Sequence, residues 1–202
     1  MIKRIDPRQL TWICAPKLYI LSSDKIVIET EPFTDLRPNG KSAEAVELSL
    51  VPKGSFCFSA RVDFDFHRPF DQCGLILYEE GKRKMIIGTE GHDDETVRLR
   101  CIVYHGGRGD HSSREIGTAV SKMYYRIWYR GGAVRVQYSF AGQRWSDFRE
   151  FQLKDPDSSL KIGIYACSPG NSYFDCTFSA MTLEEDKEAY ECRRKTDPLL
   201  SD

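Results

Sequence analysis

The chain has 202 residues, of which 41% are hydrophobic and 29% charged, and its formal net charge is -1. This length fits a single domain with a well-buried core. The near-neutral charge gives no basis for binding nucleic acid or an anionic membrane surface. No run approaches the roughly 20 apolar residues of a membrane-spanning helix, so we expect neither nucleic acid nor a membrane as a partner.

The cysteines indicate the cellular compartment. There are seven of them, scattered widely and partly within apolar runs: Cys14, Cys57, Cys73, Cys101, Cys167, Cys176 and Cys192. The start, MIKRIDPRQLTWICAP, has basic residues with no apolar segment after them, so we expect no secretion signal. An odd number of scattered cysteines is typical of free thiols in a reducing compartment. We therefore predict free thiols and a cytoplasmic protein.

Alternation of apolar and polar residues predicts β-strands along most of the chain. After a long loop at residues 31–44, a strand runs from Phe56 to Phe66, with every second residue on a core face. The stretch from Phe70 to Glu90 predicts a hairpin of two buried strands. Further strands are predicted at residues 97–104, 124–130, 134–140, 161–166 and 173–183.

The turns and the spacing of the strands predict the fold class. Gly131-Gly132 separates two strands by two residues, which suits a type I′ hairpin. About ten short strands without intervening helices favour a two-sheet sandwich. A polar helix is predicted from Glu184 to Lys195. We therefore expect a β-sandwich domain at residues 1–184, followed by a C-terminal helix and tail at residues 185–202.

Two motifs resemble a known family. Phe70-Asp71-Gln72-Cys73-Gly74-Leu75, followed by the strand from Lys84 to Glu90, is one of them. The segment from Tyr124 to Trp145 is the other, and both are similar to segments of the regulation-of-enolase family. The resemblance spans residues 10–184 and implies an all-β, concanavalin A-like β-sandwich (jelly roll) of two antiparallel sheets. The chain departs from the family pattern at Thr34-Asp35, which Leu36-Arg37 follow in place of an aromatic pair.

Six polar and aromatic residues are candidates for a ligand site. Arg126, Trp128 and Arg130 alternate with an apolar set, so they share one outward face, where a Trp beside Arg can stack a sugar ring. Gln72 points to the polar side of the predicted hairpin, and Asp71 and Glu90 lie at its strand ends. The resemblance implies that these residues meet on the concave face of one sheet.

A purely structural interpretation of the same residues stays open. Arginine and aromatic residues that alternate along a strand also stabilise an exposed sheet through cross-strand pairs. Asp71 can close an Asx-turn, and Glu90 can pair with an arginine across the sheet. The acidic loop His92-Asp93-Asp94-Glu95 offers oxygen ligands for Ca²⁺, but a solvated turn explains it better.

These observations favour a non-catalytic binding or regulatory module whose ligand is a carbohydrate or another small polar molecule, with no cofactor or metal. The alternative is a glycoside-active enzyme, in which Asp71 and Glu90 would supply the two carboxylates. The strand of alternating Glu and Asp that is typical of glucanases with this fold is absent from the sequence. The family name implies a third function, a protein-interaction module in metabolic regulation.

Overall fold

The computed structural model describes residues 2–36, 42–79, 82–93, 96–105, 108–153 and 160–185. Within them, a 3₁₀ turn at Pro7–Gln9 is the only helical segment. The strands in chain order are β1 Ile2–Arg4, β2 Thr11–Cys14, β3 Leu18–Leu21, β4 Lys25–Glu29, β5 Thr34–Asp35, β6 Ala43–Glu44, β7 Val46–Leu50, β8 Phe56–Phe64, β9 Gln72–Glu79, β10 Lys82–Gly91, β11 Thr96–His105, β12 Arg108–Gly117, β13 Lys122–Arg130, β14 Ala133–Ser139, β15 Ser146–Gln152, β16 Lys161–Cys167 and β17 Asp175–Glu185.

Fifteen of the strands form two antiparallel sheets that pack face to face, and β5 and β6 pair with each other in a short parallel ladder. The eight-stranded sheet has the order β15-β14-β13-β8-β17-β4-β3, with β1 pairing beside β17. The seven-stranded sheet has the order β12-β11-β10-β9-β16-β7-β2. The predicted all-β sandwich is therefore confirmed.

The core lies between the inner faces of the two sheets. The predicted core face of β8 is confirmed, because all of its alternate residues from Phe56 to Phe64 are buried, and Phe66 packs against them. The facing sheet contributes Leu75 and Leu77 of β9 and Ile87 of β10. Phe58, at the centre of β8, is fully buried, and removing such a ring costs about 3–5 kcal/mol.

The outer face of the seven-stranded sheet carries a second apolar cluster. Its buried members are Leu36, Ala45, Ile76, Tyr78, Ile86, Ile102, Tyr165 and Cys167. Two of them, Leu36 and Ala45, belong to the stretch around β5 and β6, which packs on this face. Burial raises the pKa of the Tyr165 hydroxyl well above its ordinary value. The hydroxyl group therefore stays neutral. The alternation predicted which residues face outward, but it did not predict that the segment around β5 and β6 packs over some of them.

The turn at Gly131-Gly132 has the geometry that its sequence predicts. Both glycines have a positive φ, 51° and 87°, as a type I′ turn between β13 and β14 requires. In the predicted hairpin, β9 and β10 pair antiparallel with Gln72 opposite Glu90. The sequence thus placed both hairpins correctly, because two-residue turns and alternation are local signals.

Three further expectations can be compared with the structure. β12, which the alternation did not predict, begins at Arg108 and is an exposed edge strand whose polar sequence lacks a buried face. Glu184 and Glu185, where the C-terminal helix was expected to begin, end β17, and the rest of that prediction lies outside the described residues. The cysteines in the described part are all free. No helix among the described residues is long and apolar enough to cross a membrane.

Candidate functional site

The structure divides the six predicted site residues between the two sheets. Gln72 and Glu90 lie opposite each other on β9 and β10 of the seven-stranded sheet. Arg126, Trp128 and Arg130 lie on β13 of the eight-stranded sheet. The expectation of a single shared face is therefore wrong. Alternation decides to which side of its own sheet a residue points, but it does not decide which sheet its strand joins.

The side chains around Trp128 form a network with one another. The Arg126 guanidinium carbon lies 5.4 Å from the ring centre of Trp128 and 4.2 Å from that of Trp145. Gln137 accepts hydrogen bonds from Arg126 Nε and, at 3.0 Å, from Trp128 Nε1. Only 4% of Trp128 is exposed, so its ring offers almost no surface on which a sugar could stack. Arg130, at the end of the strand, is half-buried.

Asp71 holds the loop that leads into β9. Its Oδ2 accepts the backbone N–H groups of His67 at 3.1 Å and Arg68 at 2.9 Å. The Ser172 hydroxyl donates to the same oxygen at 2.9 Å, and Asp71 is fully buried. These bonds favour the structural interpretation of Asp71, since they fix the turn that carries Phe70.

A cavity of about 220 Å³ opens beside Gln72 and Glu90. It lies on the outward side of β9, β10, β11 and β12, next to β5 and the loop after β16. Its lining residues are Asp35, Leu36, Phe70, Gln72, Glu90, Arg100, Ile102, Tyr104, His111 and Pro169. We call it the outer-face cavity.

Three side chains of the lining, Glu90, Arg100 and His111, form one polar wall of the outer-face cavity. Arg100 lies between the other two: its Nη1 donates to the Glu90 carboxylate, and its Nη2 lies 3.1 Å from His111 Nδ1. Glu90 is only 3% exposed, so this ion pair offsets the desolvation of its charge. Glu90 does pair with an arginine across the sheet, as the structural interpretation expected, and that arginine also lines the cavity.

The rim of the cavity carries an exposed aromatic ring in an unfavourable backbone conformation. Phe70 has φ = 73° and is 56% exposed. A left-handed conformation at a residue other than glycine costs about 1–3 kcal/mol, so neighbouring contacts must hold it. The Phe70 N–H donates to Gly91 O at 2.7 Å, and the Asp71 carboxylate fixes the preceding turn. Such strain is commonly found where a side chain has a functional position.

A second aromatic residue repeats this combination close by. Phe33 has φ = 59° and is also half exposed. Its N–H donates to Gly170 O at 2.9 Å, which places it next to Pro169 of the cavity lining. The loops on this side of the cavity therefore display two phenylalanine rings to solvent.

Several of these residues were not predicted as site residues. Alternation along β11 placed Arg100 and Tyr104 on the outward face of their strand, a signal that was available but was not linked to the hairpin. His111 gave no usable signal, because β12 was not recognised as a strand. The left-handed Phe70 has no sequence signature, since this conformation usually selects glycine or asparagine.

Within the described residues, no three His, Cys, Asp or Glu side chains are grouped so that they could hold a metal ion. The acidic loop weighed as a Ca²⁺ ligand falls partly on Asp94 and Glu95, which lie outside the described residues. Asp93 instead accepts the backbone N–H of Thr96 at 2.7 Å and the Thr96 hydroxyl at 2.9 Å. Local bonds of this kind, from an Asp side chain to a residue three positions on, occupy the carboxylate within its own loop.

Comparison with known proteins identifies the family. The sequence profile of a family described as "Protein of unknown function (DUF1349)" matches residues 12–186. The chain belongs to the DUF1349 family. A yeast relative, "Regulation of enolase protein 1" of Saccharomyces cerevisiae, is 25% identical over 185 residues, which are 90% of this chain and 92% of the relative. The predicted resemblance to the regulation-of-enolase family is thereby confirmed.

Solved structures with the same architecture extend the comparison of this DUF1349 protein. The crystal structure of a functionally unknown protein from Saccharomyces cerevisiae superposes with a TM-score of 0.80 at 22% identity, covering 90% of this chain and 98% of that one. The PL7 alginate lyase AlyA1 from Zobellia galactanivorans superposes with a TM-score of 0.60 at 11% identity, covering 88% and 94%. At these identities the likeness establishes the jelly-roll fold alone.

Proposed function

We propose that this DUF1349 protein is a non-catalytic module that binds a neutral sugar in the outer-face cavity. The observation that carries the proposal is the exposed Phe70 ring, held in a left-handed conformation at the rim of a cavity with a polar wall. A sugar ring presents an apolar face that stacks on an aromatic ring and hydroxyl groups that bond to polar side chains. The cavity offers both kinds of surface.

The size of the cavity supports a small ligand. At 220 Å³ it is below the roughly 300–1,000 Å³ of sites that enclose drug-sized molecules. One sugar unit would occupy it, and a longer chain would extend over the exposed rim. Ile102, buried beneath the cavity, and Phe70 at the rim supply the apolar contacts.

The charges in the cavity favour a neutral ligand over an anionic one. Two carboxylates, Asp35 and Glu90, line it against one guanidinium, Arg100. Arg100 already bonds to Glu90, so an incoming carboxylate would have to compete with that ion pair. Repulsion from Asp35 adds to this cost, because like charges in a partly desolvated cavity interact strongly.

The comparisons support this proposal at the level of fold and name. An alginate lyase shares the jelly roll, so an enzyme that acts on a polysaccharide uses the same architecture. The name of the yeast relative refers to regulation, which supports a binding role in regulation rather than turnover.

We also propose a cytoplasmic location, since free thiols throughout the described part suit a reducing compartment.

A glycoside-active enzyme is the second candidate, because Asp35 and Glu90 place two carboxylates in one cavity. Glu90, which is bonded to Arg100, would be the base or nucleophile in such an enzyme, and Asp35 would be the acid. A hydrolysis screen on the same oligosaccharides separates the two candidates. Glu90→Gln would abolish turnover in an enzyme, whereas a binding module shows no turnover in either form.

The proposal is tested by calorimetric titration with neutral xylo- and gluco-oligosaccharides and with alginate oligosaccharides. We expect a neutral sugar to bind, and Phe70→Ala to weaken it about tenfold, since the loss of stacking and contact area is worth about 1.4 kcal/mol. Phe140→Ala is the matched control, because Phe140 is similarly exposed, at 48%, and does not line the cavity. Equal affinity for the two variants, or preferential binding of alginate, would overturn the proposal.

A further inference from the structure

A second cavity, of about 290 Å³, opens between the two sheets at one end of the sandwich. Two connections that cross from one sheet to the other contribute to its lining: residues 65–71 between β8 and β9, and residues 118–121 between β12 and β13. We call it the end cavity. Sites for drug-sized molecules measure roughly 300–1,000 Å³, so the end cavity suits a ligand of about the size of an amino acid.

The inner part of the end cavity is apolar. Phe64 and Phe66 line it with stacked rings, whose centres are 4.6 Å apart. Val97 of the facing sheet and Val120 of the second connection add aliphatic surface. Phe66 and Val120 pack against the core but stay only half-buried. An apolar group that covers them would remove this remaining surface from water, which is favourable.

Two opposite charges in the lining have no partner in the protein. The Asp65 carboxylate and the Arg68 guanidinium both line the end cavity, and within the residues that the structure describes neither has a hydrogen-bond or ion-pair partner. Asp93 also lines the cavity, but its carboxylate bonds to the backbone N–H and the hydroxyl of Thr96. The cavity therefore offers a ligand one available carboxylate and one available guanidinium beside an apolar surface.

The backbone that carries Arg68 is held in place from both sides. The buried Asp71 carboxylate accepts the N–H groups of His67 and Arg68, and the Asp71 N–H donates to the Arg68 carbonyl at 3.3 Å. On the other side, a Cβ atom at Gly91 would lie only 2.8 Å from the Arg68 carbonyl oxygen, so this close approach requires glycine. A wall that is fixed before binding lowers the ordering cost of taking up a ligand.

We propose that the end cavity binds a free amino acid with an apolar side chain. The ammonium group of the ligand would donate to the Asp65 carboxylate, and its carboxylate would accept from the Arg68 guanidinium. The side chain would cover Phe66 and Val120. A ligand with a carboxylate alone would leave Asp65 unpaired and face its charge, and a ligand with an ammonium group alone would face Arg68 in the same way. The pair of opposite charges therefore favours a zwitterion.

Nuclear magnetic resonance titration of the full ¹⁵N-labelled chain with L-phenylalanine tests the proposal. We expect the amide signals of Phe66, Val97 and Val120 to shift as the ligand is added up to about 20 mM, a range that detects millimolar dissociation constants. Phenethylamine lacks the carboxylate and 3-phenylpropionate lacks the ammonium group, so each should bind about tenfold more weakly, as the loss of a charged hydrogen bond predicts. No shifts with L-phenylalanine, or equal binding of either analogue, would overturn the proposal.

Two variants assign each charge of the ligand to its partner, and both change exposed side chains. Arg68→Gln should weaken binding of L-phenylalanine about tenfold and leave phenethylamine unaffected, because only the first ligand has a carboxylate. Asp65→Asn should act in the same way on L-phenylalanine and leave 3-phenylpropionate unaffected. Arg144→Gln is the matched control, since Arg144 is exposed and lines neither cavity. Wild-type affinity for L-phenylalanine in Arg68→Gln or in Asp65→Asn would contradict the proposal.

Discussion

Burial determines the acid–base behaviour of single side chains in the core. Cys101 is completely buried on β11, and desolvation raises the pKa of its thiol to about 12. In the unfolded chain a thiol ionises near pH 8.5. The folded state therefore holds the proton more tightly, and this contribution to stability is complete below about pH 8.5 and is lost as the pH rises towards 12.

We predict that Cys101→Ala flattens the alkaline loss of stability. The free energy of unfolding of the wild type should fall with pH between about pH 9 and pH 11, and Cys101 should contribute about 1.4 kcal/mol per pH unit to that slope. Urea unfolding at a series of pH values measures it. Val103→Ala, at a buried position on the same face, should lower stability equally at every pH. A Cys101→Ala slope equal to that of the wild type would contradict the prediction.

At the scale of elements, Arg83 fastens the segment that carries one side of the outer-face cavity. From β10 it donates to Glu47 at 2.6 Å, to Glu44 at 2.7 Å and to the Leu36 carbonyl at 2.5 Å. Burial alone would lower the pKa of Arg83, but attraction to Glu47 and the bonds to Glu44 outweigh it and raise that pKa, so the side chain stays charged. Leu36 lines the cavity, so the bonds of Arg83 also hold one side of the cavity in place.

We predict that Arg83→Met destabilises the fold by about 3 kcal/mol, because among the described residues it leaves the buried Glu47 carboxylate with the Tyr78 hydroxyl alone as a hydrogen-bond partner. Hydrogen exchange should show faster opening of β5 and β6 than of the core strands. Arg8→Met removes an exposed ion pair and should leave stability close to that of the wild type. Similar unfolding and exchange in the two variants would mean that Arg83 does not hold the segment.

At the scale of the whole molecule, the sequence predicted well which face of its strand a residue occupies. It predicted poorly which strands are neighbours in a sheet. Alternation assigned the core face of β8 and the outward face of β11, because period two follows directly from strand geometry. It could not assign strand order, since β8 lies between β13 and β17, which come much later in the chain. The choice of sheet for a strand depends on such long-range pairing.

In the candidate site, too, local features were predictable from the sequence and long-range contacts were not. The predicted hairpin is present as β9 and β10, and it brings Gln72 opposite Glu90, a register that the sequence did not assign. Trp128 carried an aromatic signal at outward spacing, yet its ring is covered by Arg126 and bonded to Gln137. Phe70 carries the exposed ring instead, and its position depends on a turn that a buried carboxylate fixes.

We propose that a neutral sugar binds on the outer face of the seven-stranded sheet, and this binding can be observed directly. Nuclear magnetic resonance spectra of the ¹⁵N-labelled protein, recorded during titration with the xylo- or gluco-oligosaccharide that binds, locate the ligand directly. We expect the backbone amide signals of Phe70, Gln72, Arg100 and His111 to shift, while the indole N–H signals of Trp128 and Trp145 stay in place. Shifts centred on those two indoles, or no shifts with any of the oligosaccharides, would contradict it.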